Sequence, residues 1–473
     1  MSHILKRKFI SVHLAAAIFA LLPASCGHFY TDILKQKKII IPHSSNSKDI
    51  ISFSFEAARN PGLSSDIIGS INGNVITVTV PNGIVTGSLV ATFIITGNIV
   101  SVNGTTHVSG ITSNNFTGNV TYTVTASDAT TKDYVVTVVV APMEAQWART
   151  VTGANNNSYF GNVSVASDGS VYAAGSIYGS GTFDFGNGVS TAGTYAGTGG
   201  NIVLVKYNNS GTAQWARTVT GGSSYSGFHG VSGASDGSVY SVGQISTNGT
   251  FNFGNGVTTY SGSNKYDNCI VVKYNSAGDA QWARTATGGS RSSYFSSVSV
   301  ASGGSVFAAG YVWGTGTIDF GNGVTAAGTD GYDNCVVVKY NSYGIAQWVR
   351  TVTGGSSYSG FRSVSVASDD SMYCAGYIYG TGTYNFGNGV TAAGTSTTGN
   401  LVLLKYKSSG TAEWARTVTG GSSDSYFSSV SVASGGSVFA AGYIYGIGTY
   451  NFGNGVIATG TNSNNNILLV KYE

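Results

Sequence analysis

Residues equipped for acid–base or nucleophilic chemistry are few and scattered in this sequence. The six histidines are His3, His13, His28, His43, His107 and His229, and only His229 falls in the repetitive C-terminal part. A Ser-His-Asp arrangement needs a base held beside a nucleophile. One histidine without a surrounding motif reads instead as a variant of the Ser or Gly at the same place in sister repeats. Glycoside hydrolysis needs two carboxylates about 5–10 Å apart. Beyond residue 25 the glutamates are Glu56, Glu144, Glu413 and Glu473, and Asp168, Asp236 and Asp369 fall in hairpin turns. Asp184 and Asp319 stand where sister repeats carry Asn252, Asn385 and Asn451. Free exchange of Asp for Asn suits turn bonding better than Ca²⁺ ligation. A catalytic residue set is therefore not expected, and a glycoside hydrolase is the alternative reading.

Metal and nucleotide chemistry are equally poorly supported. Cys269, Cys335 and Cys374 lie far apart, with no paired Cys or His at ligand spacing, so no metal site is expected. Cys269 and Cys335 occupy the same place in successive repeats, too far apart for the roughly 7 Å Cα limit of a disulfide. All three read as small buried hydrophobes. Gly-x-Gly runs such as Gly314-Thr315-Gly316 precede no Lys-Ser/Thr pair, so no phosphate cradle and no cofactor is expected. Removing Lys6, Arg7 and Lys8 with the first 25 residues takes the 23 basic residues to 20, against 20 acidic ones. A neutral chain offers no field for steering nucleic acid.

Aromatic residues are the remaining candidates. Trp147, Trp215, Trp282, Trp348 and Trp414 each precede an arginine by two positions: Arg149, Arg217, Arg284, Arg350 and Arg416. Such pairs share a strand face, where a Trp–Arg stack would fasten one repeat to the next. Lys206, Lys273, Lys339, Lys405 and Lys471 read as the wet ends of buried stems. Connecting loops carry Tyr159, Tyr225, Tyr294, Tyr358 and Tyr426 among Ser, Gly and Asn. That mixture supplies rigid amphipathic rings with small adaptable polar groups, the composition of a binding surface. The competing role for these rings is to plug gaps between repeats.

The elements that must position them are strands. The 68 Gly, 29 Tyr, 21 Phe and many β-branched residues disfavour helix. Successive tryptophans of the Ala-Gln-Trp-Ala-Arg-Thr segments are 68, 67, 66 and 66 residues apart. Within each unit come a Gly/Ser/Tyr/Phe loop, a Val-Ser-Val-Ala-Ser strand and a tight turn such as Asp168-Gly169. A Ser-Val-Phe-Ala-Ala-Gly-Tyr strand, a Phe-Gly-Asn-Gly-Val insert and an Asn-Ile-Val-Leu-Val-Lys-Tyr strand follow, and then the Trp strand. Asp-Gly and Asn-Gly between alternating apolar runs mark hairpins. Four principal strands per unit, with an extra hairpin at the insert, predict a β-propeller. The last unit stops one strand short at Glu473, and Ala145–Val151 is an unattached copy of the missing type. Its transfer to the last blade predicts a closed five-bladed ring with no open edge. Residues 48–142 alternate apolar residues with Thr or Ser in short strands, which predicts an Ig-like β-sandwich.

Three resemblances bear on this reading. The Val-Lys-Tyr-Asn-x-x-Gly-x-x-x-Trp-Ala-Arg, Ala-Ser-Asp-Gly-Ser-Val-Tyr-Ala-Ala-Gly and Phe-Gly-Asn-Gly-Val segments resemble bacterial SBBP propeller repeats over about residues 145–473. That likeness implies no enzyme activity. Residues 48–142 are similar to bacterial Ig-like or cadherin-like modules of surface lipoproteins. Lys6, Arg7 and Lys8 precede the apolar run Phe9–Leu22, too short to span a bilayer. With Leu22-Pro23-Ala24-Ser25-Cys26 it resembles a bacterial lipoprotein signal, which implies acylation of Cys26. An ordinary secretory signal is the alternative.

The expected organisation is a signal peptide at 1–25, a tether at 26–47, an Ig-like sandwich at 48–142 and a five-bladed propeller at 143–473. The expected protein is all-β, exported and lipid-anchored at the outer membrane or cell surface. Its expected role is binding or adhesion, with an extracellular glycan or a host or matrix protein as partner and no nucleic acid. A structural role in the cell envelope is the further alternative.

Overall fold

The computed structural model describes residues 45–473 apart from 223, 247–248, 262–265, 356 and 422. Cys26, the expected signal peptide and most of the expected tether lie outside the described residues. The chain is all-β and divides into two units, Met1–Ala145 and Gln146–Glu473. No helix among the described residues is long and apolar enough to cross a membrane.

The first unit holds a four-stranded and a six-stranded sheet. Alternation decides which side chains enter its core: in Val75–Val80 the residues Ile76, Val78 and Val80 are buried while their neighbours face out. Phe53, Phe55 and Phe93 from one sheet meet Tyr122, Val124 and Val136 from the other in a single core with Phe116. The Phe53 and Tyr122 rings stand edge to face at 5.4 Å. Val75–Val80 runs parallel to Thr131–Val140 within the six-stranded sheet.

The second unit is five repeat sheets. The first contains Ser158–Val165, Val171–Tyr178, Gly200–Tyr207 and Ala213–Arg217, paired in chain order. The second contains Ser226–Gly233, Val239–Ile245, Asn268–Tyr274 and Ala280–Thr285. The third contains Ser293–Val300, Val306–Trp313, Asp333–Tyr340 and Ala346–Thr351. The fourth contains Ser359–Val366, Met372–Tyr379, Gly399–Tyr406 and Ala412–Thr417. The fifth has three strands, Ser425–Val432, Val438–Tyr445 and Asn465–Tyr472.

Each sheet buries one face against the next. Ile202 and Leu204 of the first pack with Phe228, Val231, Val239 and Ile245 of the second. Equivalent cores join the second to the third, the third to the fourth and the fourth to the fifth. The expected extra hairpin becomes a small three-stranded sheet, because a two-residue strand from the preceding loop adds to it, as Thr353–Gly354 does to Thr383–Asn385. Its Phe-Gly-Asn-Gly turn needs three successive positive φ angles (91° at Gly186, 56° at Asn187, 72° at Gly188), which only Gly and Asn adopt readily.

Ring closure by Ala145–Val151 is not formed. Residues 146–151 carry no strand, and Asn465–Tyr472 is an open edge. Trp147 and Arg149 are held instead on the turn of the first sheet, at Asn209 and Gly211. Ile467 and Leu469 are consequently 98 % and 71 % exposed, whereas their counterparts Ile202 and Leu204 are fully buried. At the other end Phe160, Val163 and Val165 are exposed, while Phe228 and Val231 are buried. Pairing within a sheet follows from local alternation. Closure depends on the rotation accumulated over five sheets, which alternation does not fix.

Candidate functional site

The loop ends of the repeat sheets are organised by two side chains that recur in every unit. A serine at the start of each inner strand accepts from the previous sheet: Ser226 Oγ from Ile202 N, Ser293 from Cys269 N, Ser359 from Cys335 N and Ser425 from Leu401 N, at 2.9–3.0 Å. An asparagine at the start of each third strand folds its loop around its carboxamide. Asn334 Oδ1 accepts from Thr329 N at 2.8 Å, and its Nδ2 donates to Tyr332 O at 2.7 Å.

These anchors sort the five candidate tyrosines into two sets. Tyr159, Tyr294 and Tyr426 follow the serine, whereas Tyr225 and Tyr358 precede it. The two places are two residues apart, so Tyr225 and Tyr358 lie just before their strands, whereas Tyr159, Tyr294 and Tyr426 lie within theirs. Tyr159 lies 46 % exposed beside Tyr178 in the first sheet. The other four are half-buried.

Three of them join a network across the later sheets. The hydroxyls of Tyr225 and Tyr294 both donate to Oδ2 of buried Asp267, the former at 2.6 Å. Burial, followed by the Asp267 carboxylate, pushes the Tyr225 hydroxyl up to about 12. The Tyr294 ring lies tilted at 5.1 Å against Tyr311, which also feels Asp333 and Arg362. Arg362 lies 5.4 Å over the ring of Tyr377. Tyr377 meets Tyr426 at 5.0 Å, and Tyr426 meets Tyr443 at 5.2 Å. Burial first, then Asp330, raises the Asp333 carboxyl against the opposing pull of Arg362 and the Tyr377 hydroxyl, to about 6.

Tyr358 belongs to a second cluster beside the first. Its ring lies 4.4 Å from Tyr332 and 5.8 Å from Tyr379. Trp313, directly opposite Asp333 in the third sheet, donates Nε1 to Gly331 O at 2.7 Å and carries Arg291 at 5.2 Å. Aromatic faces, a carboxylate and guanidinium groups are thus gathered at the junction of the third and fourth sheets.

The other residues singled out in the sequence have structural roles. Trp215, Trp282 and Trp348 donate Nε1 to Ser276, Ser342 and Ser408 carbonyls of the following sheet at 3.0–3.1 Å. Their partner arginines lie 5.2–5.6 Å over the indoles and donate to the same turns. These pairs fasten sheet to sheet. Lys206, Lys273 and Lys405 rest over Tyr172, Tyr240 and Tyr373, and Lys339 and Lys471 over Phe307 and Phe439. Asp184 and Asp319 accept from Gly186 and Gly321 backbone N–H groups, as Asn252, Asn385 and Asn451 do at their turns. His229 is hydrogen-bonded to Gln244, and burial lowers its pKa. Cys269, Cys335 and Cys374 are buried free thiols. The described residues contain no cluster of His, Cys, Asp and Glu able to hold a metal ion.

Sequence reading passed over Asp267, Tyr311, Trp313, Asp333, Arg362 and Tyr377. One signal was available: Asp267 and Asp333 precede the recurrent Asn, where sister units have Gly200, Gly399 and Asn465.

Residues 50–138 match the family model described as SGBP, N-terminal. No curated protein is significantly similar to the chain. Among solved structures, a putative glycoside hydrolase from Bacteroides thetaiotaomicron VPI-5482 is 15 % identical, with a TM-score of 0.17, over 51 % of this chain and 81 % of that one. Rhamnogalacturonan lyase YesW is 11 % identical, with a TM-score of 0.21, over 73 % of this chain and 74 % of that one.

Proposed function

We propose that this chain is a non-catalytic glycan-binding protein of the cell surface, held there by acylation of Cys26. Its first unit is read as an Ig-like module. Its repeats are read as SBBP-type propeller blades. Binding is assigned to the aromatic loop ends of the third and fourth repeat sheets.

One observation carries the reading: Trp313, Tyr332, Tyr358 and Tyr379 are massed beside Asp333 and Arg362 in a chain whose residues 50–138 match a model of surface glycan-binding proteins. Flat aromatic faces suit the C–H faces of sugar rings, and carboxylate and guanidinium groups suit their hydroxyls. A matrix protein is the other partner compatible with such a surface, and the family match favours a glycan. Hydrolysis is not part of the reading: Asp267 is engaged by two tyrosine hydroxyls, and Asp333, with Asp330 nearby, faces the Arg362 guanidinium and the Tyr377 hydroxyl.

Affinity electrophoresis of the mature chain through gels containing soluble polysaccharides tests the proposal. Retardation without release of reducing ends is the expected result. Migration unchanged in every polysaccharide, or steady release of reducing ends, refutes it. Incorporation of labelled fatty acid, abolished by Cys26→Ala, tests the anchor.

A further inference from the structure

Three of the repeats place different solutions at one position, and the comparison isolates an open acceptor. In the second sheet the position is Asp267, buried, with its Oδ2 occupied by two phenol hydroxyls from Tyr225 and Tyr294. In the fourth it is Gly399, where a Cβ would come 2.4 Å from the ring of Tyr426, so the ring itself fills the space. In the third it is Asp333. There the counterparts of Tyr225 and Tyr294 are Ser292 and Gly360, and neither can deliver a phenol hydroxyl. Tyr377 lies across Gly360, where a Cβ would stand 2.9 Å from its hydroxyl. The groups that face the Asp333 carboxylate are that hydroxyl, the exposed guanidinium of Arg362 and, with like charge, Asp330. Trp313 stands directly opposite Asp333 on the neighbouring strand, where Asp267 has the small Ser246.

We propose that Asp333 is the polar anchor of a sugar subsite, accepting hydroxyls of a neutral pyranose whose ring lies against Trp313. This deepens the glycan-binding reading and rests on it. The two tyrosine hydroxyls on Asp267 are the protein's own version of the contact: two O–H donors converging on one carboxylate. A pair of adjacent sugar hydroxyls offers the same donors. A carboxylate has about four acceptor sites, so Tyr377 leaves room for them. Arg362 supplies the complementary donors to the sugar oxygens. A neutral sugar is specified because Asp330 and Asp333 together repel a uronate.

The test is affinity electrophoresis and titration calorimetry on the full mature chain. Soluble starch, xyloglucan and galactomannan serve as neutral probes and polygalacturonate as the acidic one. Asp333→Asn keeps the shape and removes the charge. It is expected to weaken binding of the neutral probe roughly ten- to hundredfold, the range for a hydrogen bond to a charged group. Trp313→Ala is expected to do the same. Tyr343→Ala, at a 75 % exposed tyrosine in the turn at the far end of the third sheet, is expected to bind like the wild type. Wild-type affinity in both Asp333→Asn and Trp313→Ala, with a bound neutral probe, overturns the subsite and leaves the glycan reading standing. Binding confined to polygalacturonate overturns the assigned sugar class. Silence of the wild type towards all four probes brings down the glycan reading and the subsite with it.

Discussion

The indole Nε1 of Trp147 donates to the carbonyl of Asn209 at 3.0 Å. Trp215 makes the same bond to Ser276 at 3.1 Å from a strand of the preceding sheet. Trp147 therefore stands where the outer strand of a sheet before the first would stand. In the first sheet Trp215 pairs with Lys206, and Arg217 with Leu204. Transferred to the fifth, this register sets Trp147 against Lys471 and Ala148 against Val470. The two bare ends of the array, around Phe160 and Ile467, would then cover each other.

Closure predicts that Ala148→Cys combined with Val470→Cys gives an intrachain disulfide on mild oxidation. The native thiols Cys269, Cys335 and Cys374 do not compete, because burial pushes the first two up to about 12 and the third well above its ordinary value. Thiol titration and non-reducing electrophoresis read the result. Two persistent free thiols indicate an open array, and an interchain bond indicates exchange between copies. Closure also makes Phe160→Ala as costly as Phe295→Ala, about 3–5 kcal/mol by chemical denaturation.

Asp333 predicts opposite pH trends for stability and binding. Burial raises its folded-state carboxyl from 3.8 to about 6, with Arg362 and Tyr377 acting the other way, Asp330 reinforcing the rise and the Tyr311 hydroxyl close by. The folded chain holds this proton more tightly than the unfolded one. Its stabilising contribution is therefore full below about 4 and lost as pH rises through about 6. Sugar binding, which uses the ionised acceptor, weakens as pH falls through the same window. Asp333→Asn should flatten this contribution to the melting temperature between pH 4 and 7. A wild-type pH profile retained in that variant assigns the titration to another group.

Asp267 predicts a structural phenotype. Asp267→Ala leaves two half-buried phenol hydroxyls without their acceptor across the second and third sheets. Stability should fall by about 1–3 kcal/mol in urea titrations. Tyr294→Phe, which removes one donor and leaves the carboxylate its other partner, should cost less. Equal stability of Asp267→Ala and the wild type refutes the tie.

The Trp–Arg fasteners predict a gradient along the array. Trp282 is 8 % exposed and bonded to Ser342 of the next sheet. Trp414 packs on Tyr373 and Arg416 and is less deeply buried. Trp282→Ala should lose about 3–5 kcal/mol and Trp414→Ala distinctly less. Thermal unfolding with equal losses contradicts the fastening role.

Sequence alone determined the strand-by-strand plan. Alternation and Gly/Asn/Asp turns are local, so burial of Ile76, Val78 and Val80, or the hairpin at Asp168-Gly169, was legible from a few neighbouring residues. The sheet-to-sheet role of the tryptophans was legible for the same reason, because Trp and Arg two apart share a strand face. Tertiary structure alone decided how the tyrosines are used. Tyr225 and Tyr358 stand just before the inner strand and Tyr159, Tyr294 and Tyr426 just inside it, but the partner each ring meets comes from distant parts of the chain. The difference between Asp267 and Asp333 is set by partners 27 and 42 residues from Asp267 in the chain, and by their loss around Asp333. Ring closure lies further still from local sequence, because it depends on small rotations summed over five packed sheets.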